Sequence, residues 1–130
     1  MSRKTDLAWA AGLFEGEGCV SFASCSVRLV LQMTDRDVVE RFAAVVGDGK
    51  ITVQIPKNER YLPLYRWTKA GAVFARGLLE EWRPYLGERR LARFEEVLAI
   101  ADRRHVEQRA RRRVRSGLVE IRRAVRADGR

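Results

Sequence analysis

The stretch near the N-terminus is almost uniformly apolar and predicts a helix from about residue 6 to 15. Thr5 or Asp6 is expected to cap its start, and Gly16 and Gly18 to end it. Because apolar side chains cover several faces of this helix, it must be buried on more than one side. One side can pack on a sheet of the same chain, so the other side needs a further partner.

One face of this helix carries almost no side-chain bulk, because Ala8, Gly12 and Gly16 recur every four residues with Ala11 beside them. Such a face lets another helix approach backbone to backbone. The partner is either a second copy of this helix, since two-fold homodimers are the commonest oligomers, or another helix of the same chain. The spacing favours neither of the two.

Two runs of alternating polarity follow at 19–23 and 27–33, and a turn at 24–26 joins them. With a period of two residues, Val20 and Phe22 share one face of the first run. The pattern predicts an antiparallel hairpin with one buried face and one face open to a ligand.

The next segment predicts a helix over 35–46. Thr34 and Asp37 resemble a capping box at its start, with Asp in place of the usual Glu. Gly47 is expected to stop it, since glycine readily adopts the left-handed conformation that often ends helices.

A second hairpin is predicted from the alternation at 50–55 and 65–68, on either side of a polar loop. A third helix, about 70–82, is closed by Pro84, and a fourth begins near Glu88. The order of elements is therefore αββαββαα, which is typical of an α+β protein.

Charge divides the chain into two parts. Residues 1–102 carry 15 basic and 14 acidic side chains, whereas residues 103–130 carry 11 arginines and 3 acids. The net charge of +9 therefore lies almost entirely in the last 28 residues. We expect one domain at 1–102 and a basic extension at 103–130 that is helical or partly disordered. An excess of arginine indicates a polyanionic partner, most simply nucleic acid, although a solvated helix is the alternative.

Several protein classes are excluded by the same sequence. The longest apolar run, 7–14, has eight residues, where a bilayer span needs about 20, so no membrane partner is expected. Cys19 and Cys25 are too few for a disulfide scaffold, and no secretory cleavage pattern is present. We expect a protein that is not secreted and works in a reducing compartment, bacterial or phage-encoded in the cytoplasm, or organellar.

Glu15 and Glu17 flank Gly16 at the end of the first helix, where a helix carries partial negative charge. If the small-residue face forms a two-fold contact, two copies of one glutamate approach each other. Two carboxylates at such a short distance require a cation between them or a raised pKa of one carboxyl group. A hard divalent cation such as Mg²⁺ suits carboxylate and carbonyl oxygens and retains water that can attack a phosphate.

Residues 10–18, Ala-Ala-Gly-Leu-Phe-Glu-Gly-Glu-Gly, resemble the LAGLIDADG motif, with glutamate at both aspartate positions. The element order from about residue 5 to 102 is similar to that of the homing endonucleases that carry this motif. The resemblance implies an αββαββα fold with a saddle-shaped antiparallel sheet over the DNA major groove. The arginine-rich extension lies outside it.

The resemblance also implies an activity. Family members with one motif per chain act as homodimers on long, near-palindromic DNA, cleaving both strands with Mg²⁺ (Mn²⁺ substituting) and leaving short 3′ overhangs, as in intron homing. By the same resemblance, Glu17 and the Gly16 carbonyl bind metal, and Gln32 orients water. Arg89, with Arg90 as the alternative, stands where the family commonly has a catalytic lysine. The dimer contact falls to Ala8, Ala11, Gly12 and Glu15.

Base recognition would fall to the open face of the sheet, since a two-stranded ribbon fits the major groove. The outward side chains that alternate with the apolar positions are mostly polar: Ser21, Arg28, Gln32, Lys50, Thr52, Gln54, Arg66 and Thr68. Lys57 and Arg60, in the loop between the last two strands, suit phosphates. For any single residue the alternative is an ordinary solvent-facing position.

A second function remains open on the same fold. The chain is either a site-specific endonuclease or a catalytically inactive nucleic-acid binder, such as an intron RNA maturase or a DNA-binding regulator. The acid Glu17 and Gln32 favour the nuclease. Two features are compatible with the binder: the arginine in place of lysine, and the arginine-rich extension. Arginine-rich segments bind RNA.

Overall fold

The computed structural model describes residues 2–128, and its elements follow the order αββαββα with a fourth helix after them. A short 3-10 turn, Arg83–Tyr85, separates the last two helices. The bounds are α1 (Arg3–Glu17), β1 (Gly18–Ala23), β2 (Ser26–Met33), α2 (Arg36–Val46), β3 (Lys50–Gln54), β4 (Leu64–Ala70), α3 (Ala72–Trp82) and α4 (Glu88–Asp128). The predicted α+β class and element order are confirmed.

Helix α1 is longer than the sequence predicts at both ends. Its N-cap is Ser2, whose side-chain oxygen accepts a hydrogen bond from the Thr5 N–H at 3.2 Å. The predicted caps were therefore wrong, because the hydroxyl of Ser2 already satisfies a free N–H and Asp6 lies inside the first turn. At the other end the helix continues through Gly16 and ends at Gly18, whose extended backbone starts β1.

Helix α2 also begins at a different cap. Asp35 takes the N-cap position, without a side-chain cap hydrogen bond, so the predicted capping box at Thr34 was wrong. Gly47, with φ of 83°, ends the helix in the left-handed conformation as expected. The turn between β1 and β2 has two residues, Ser24 and Cys25, which both have positive φ. That geometry matches the strand twist of a tight hairpin.

The four strands form one antiparallel sheet in the order β1-β2-β4-β3. The helices cover one of its faces. The core between the two layers is built around five fully buried aromatic side chains whose rings contact each other: Phe14, Phe42, Trp67, Trp82 and Phe94. With one layer of helices, the opposite face of the sheet stays open.

Helix α4 belongs to this core only at its beginning. Its buried side chains are Phe94, Val97 and Leu98, and all residues from 103 to 128 except Gly117 are exposed. Within residues 2–128, no helix combines the length and apolar character needed to span a membrane.

Candidate nucleic-acid interface

The strand register places the predicted polar residues on the open face of the sheet. Ser21 lies opposite Arg28 in the β1–β2 pair. Gln32 lies opposite Arg66, and Arg66 lies opposite Thr52 on its other side. These side chains alternate with buried ones such as Leu29 and Leu31, so they point away from the core.

The rest of the predicted face follows the same register. Lys50 lies opposite Thr68, and Gln54 opposite Leu64. The alternation therefore places all eight predicted strand residues on one surface. Lys57 and Arg60 lie exposed in the loop that connects β3 and β4.

Two shallow depressions cover this surface and share Arg28 and Arg66. One, of about 490 Å³, lies over β3 and β4 and is bordered also by Lys50 and Thr68. The other, of about 400 Å³, lies over β1 and β2 and extends to Glu17. The open face is thus continuous from the sheet to the end of α1, which carries the motif of residues 10–18 and is called the motif helix below.

The arginine side chains of this face are not paired with carboxylates from residues 2–128. Within residues 2–128, Arg28 and Arg66 form no ion pair or side-chain hydrogen bond, and the buried Nε of Arg66 has no partner. A buried donor without an acceptor is costly, so contacts within the described chain do not fully satisfy the Arg66 guanidinium. At the sheet edge, Lys69 is paired instead with Asp48 at 2.9 Å, and this hydrogen bond lowers the pKa of the Asp48 carboxyl. Lys69 also borders the depression, although the sequence pattern did not single it out.

Glu17 is the last residue of α1 and is exposed. It borders the same depression as Gln32, so the structure brings these two predicted residues to one site. In the described part of the chain, Glu17 has no hydrogen-bonded or ionic partner, and no cluster of three or more potential metal-ligating His, Cys, Asp or Glu side chains occurs. One chain therefore contributes a single carboxylate here, beside the backbone carbonyls at the helix end.

Glu15 points the other way, into contacts with its own chain. Its Oε2 accepts a hydrogen bond from the Gly87 N–H at 3.3 Å. Its backbone carbonyl accepts one from Arg90 at 2.9 Å, and a cation there offsets the negative end of the helix dipole. This is part of the compensation that two acids at a helix end require, and it ties α1 to the start of α4.

The two candidate arginines differ in position. The guanidinium of Arg90 lies at the end of the motif helix, 5.6 Å from the centre of the Phe14 ring. Arg89 is exposed and makes no ion pair or side-chain hydrogen bond within residues 2–128. The structure therefore brings Arg90, and not Arg89, into contact with the motif helix.

The small-residue face of α1 is open where the glycines lie. A Cβ atom added at Gly12 or Gly16 would meet no atom within 4 Å outside the nearby turns of α1, so no other element among residues 2–128 covers these positions. Ala8 is partly buried. Ala11 is fully buried beside Phe14, because it faces the chain's own core rather than the open side of the helix.

Comparison with known proteins identifies the fold. The sequence matches no protein-family model and no curated protein. Among solved structures, the homing endonuclease I-TnaI shares 16% identity at a TM-score of 0.59, over 88% of this chain and 82% of its own. I-CvuI, in complex with its DNA target, shares 20% identity at a TM-score of 0.58, over 77% and 68%. The archaeal intron-encoded I-Vdi141I, complexed with DNA, shares 15% at 0.55, over 75% and 69%. This chain thus has the fold of LAGLIDADG-type homing endonucleases.

Proposed function

We propose that this protein is a site-specific endonuclease that binds a long, near-palindromic DNA duplex as a homodimer and hydrolyses both strands with Mg²⁺. The observation that carries the proposal is the continuity of the open sheet face with Glu17. A surface of arginine and amide groups that can contact bases leads directly to an unpaired carboxylate at the end of the motif helix.

DNA binding is supported by the chemistry of the open face. Arg28 and Arg66 present guanidinium groups that lack carboxylate partners in the described chain, and such groups bind guanine edges with two hydrogen bonds. Gln54 offers the amide that pairs well with adenine. Lys57 and Arg60 contact phosphates from the loop. Structures of I-CvuI and I-Vdi141I with DNA are in line with this use of the fold.

A homodimer is supported by the open glycine positions of α1. Gly12 and Gly16 leave space in which a second α1 can approach closely. One chain has one motif and one Glu17, and a symmetric pair of chains brings two such carboxylates to the same axis.

The donors at this axis fit a divalent cation only when two chains combine. Glu17 and the Gly16 carbonyl of each subunit are the oxygen ligands that Mg²⁺ prefers. When bound, the metal supplies an activated water and stabilises charge on the phosphate. I-CvuI has been crystallised with the I-CreI target in the presence of Mg, with the DNA not cleaved, and with its own target in the presence of Ca. Mn²⁺ is expected to substitute for Mg²⁺.

Neutral and cationic side chains orient the water and neutralise the phosphate charge. The Gln32 amide, across the depression from Glu17, orients water by hydrogen bonding without changing its own protonation. An arginine at position 89 or 90 neutralises phosphate charge with two-pronged hydrogen bonds, but stays protonated and cannot relay a proton. We propose Arg89 for this role, with Arg90 as the alternative, because the Arg89 side chain is exposed whereas the guanidinium of Arg90 is held by the Glu15 carbonyl.

The decisive experiment is a cleavage assay on supercoiled plasmids that carry inserts from the source genome, with Mg²⁺ or with EDTA. Wild type should linearise one plasmid with 3′ overhangs, and Glu17→Gln should abolish cleavage while retaining DNA binding. Asp37→Asn, which removes an exposed carboxyl on α2, should cut like wild type. Equal loss of cleavage and binding in Glu17→Gln would show that Glu17 is structural.

The alternative is a nucleic-acid binder that does not cut. The arginine that replaces the family's lysine is the observation that favours it. Salt-sensitive retention of plasmid DNA without metal-dependent cleavage would support this alternative, and tighter binding to a cognate intron RNA than to duplex DNA at one salt concentration would indicate a maturase.

A further inference from the structure

The last part of α4, residues 103–128, differs from every other part of the described chain, and we call it the extension. It is a continuous helix in which no side chain is buried. It carries ten arginines and three acids. Within residues 2–128, none of these arginines forms an ion pair with a carboxylate. The extension is therefore an exposed helix with a large excess of positive charge.

The arginines are not spread evenly around the helix. Successive members of one set are seven and four residues apart, which keeps them on one side of a helix with 3.6 residues per turn. We call this set the arginine stripe, and it consists of Arg104, Arg111, Arg115, Arg122 and Arg126. Glu120 and Asp128 lie off this side, whereas Glu107 lies beside the start of the stripe, three residues after Arg104 and four before Arg111. From Arg111 to Arg126 the stripe presents cations without an intervening carboxylate.

The direction of the extension follows from three contacts of α4. Arg90 donates to the carbonyl of Glu15 at the end of α1, and Arg93 donates to the carbonyl of Val20 in β1. Arg104 then donates to the sulfur of Cys25 at the β1–β2 turn. Helix α4 thus runs along β1, away from Glu17, and the extension continues beyond the turn for about 36 Å at 1.5 Å per residue.

We propose that the extension binds the phosphate backbone of duplex DNA flanking the site that the sheet covers, an inference that rests on the proposed DNA binding of the sheet. A stripe of arginines that form no ion pair with a carboxylate of residues 2–128 is complementary in charge to a phosphate backbone. About 36 Å corresponds to roughly ten base pairs at 3.4 Å each.

The direction of α4 also decides against pairing between two extensions. If the motif helices meet at the dimer axis, each α4 leads away from that axis, so the two extensions of a dimer diverge. The apolar positions beside the stripe, which include Val114, Leu118 and Ile121, therefore have no partner in the same dimer. Each extension instead reaches the DNA outside one half-site.

The test compares two full-length variants that lose the same charge. R111Q/R115Q/R122Q/R126Q removes four arginines of the stripe, and R109Q/R112Q/R113Q/R123Q removes four from the other sides of the helix. Binding to a mixed-sequence duplex of about 40 base pairs is measured in EDTA at several salt concentrations. Each phosphate contact contributes about 0.9 to the slope of log K against log[salt]. The stripe variant should lower the slope by about 3 to 4, and the control variant by less than about 1.

Three results would overturn the proposal. Equal changes of slope in both variants would show that only net charge matters, and no change in either would show that the extension does not touch DNA. A larger effect on an RNA hairpin or on phosphatidylserine vesicles than on the duplex would identify another partner. Because binding is measured in EDTA, its outcome is independent of cleavage. A failure of the proposed nuclease activity appears in the cleavage assay, whereas a failure of the extension's role appears in the salt dependence of binding.

Discussion

We call residues 2–102 the body. The body and the extension share helix α4 but are stabilised differently. In the body, basic and acidic side chains nearly balance, and ion pairs such as Arg76–Asp102 and Arg83–Glu95 connect separate elements. In the extension, arginines dominate and no side chain is buried. Because α4 crosses the boundary without a break, local helix formation alone does not distinguish the two regions. What differs is whether tertiary packing covers the helix.

Helix α4 packs against the core only over its first turns. Its first turns complete the core through Phe94, Val97 and Leu98 and hold the motif helix through Arg90. Its remaining turns lack a core, and most stability of protein helices comes from packing of an apolar face rather than from propensity. The extension is therefore expected to be the less stable part of the free protein, and to gain stability from what it binds.

The largest effect is expected from truncating the aromatic cluster of the body. Phe14→Ala removes a fully buried ring that contacts Phe42, Trp82 and Phe94, which should lower the free energy of unfolding by about 3–5 kcal/mol. Urea denaturation followed by tryptophan fluorescence measures it. The matched truncation Ile121→Ala in the extension should change that free energy by less than about 0.5 kcal/mol. A comparable loss in both variants would show that the extension is part of the core.

A proline in the extension should separate the two regions more sharply. Gly117→Pro removes a helical hydrogen bond and clashes with the preceding turn, a local cost of about 3 kcal/mol. Circular dichroism should show a loss of helix, while the midpoint of cooperative unfolding stays unchanged. Gly117→Ala, whose Cβ meets no atom within 4 Å, should raise helicity, since glycine costs about 1 kcal/mol against alanine. A lower midpoint in Gly117→Pro would contradict the independence of the extension.

The smallest effect concerns an exposed ion pair of the body. The hydrogen bond from Lys69, together with the Gly49 N–H, holds the pKa of Asp48 below its ordinary value of 3.8. A lowered pKa contributes stability above pH 3.8 that is lost as the pH falls through the lower, folded-state value. The urea midpoint of wild type should therefore exceed that of Asp48→Asn near neutral pH, and the two should converge in acid. Lys69→Gln should reproduce the deficit, and a gap that persists in acid would refute the assignment.

Local patterns in the sequence were sufficient for most of the fold. Alternation in four short runs predicted both the strands and the polar set on the open face, because a side chain's face in a strand depends only on its position parity. Helix starts were predicted less well. Thr5 and Thr34 have the chemistry of caps, but Ser2 and Asp35 occupy those positions, since a run of capping residues does not specify which of them leaves the helical conformation.

Contacts between distant segments were outside the reach of these patterns. The sequence alone determined the element order, the presence of the motif helix with two acids near its end, and the concentration of arginine after residue 102, because each depends on neighbouring residues. Only the tertiary structure decided that β4 lies between β2 and β3, that Ala11 faces the core, and that Arg90 rather than Arg89 contacts the motif helix. These depend on packing between residues up to 75 positions apart, which no local periodicity encodes.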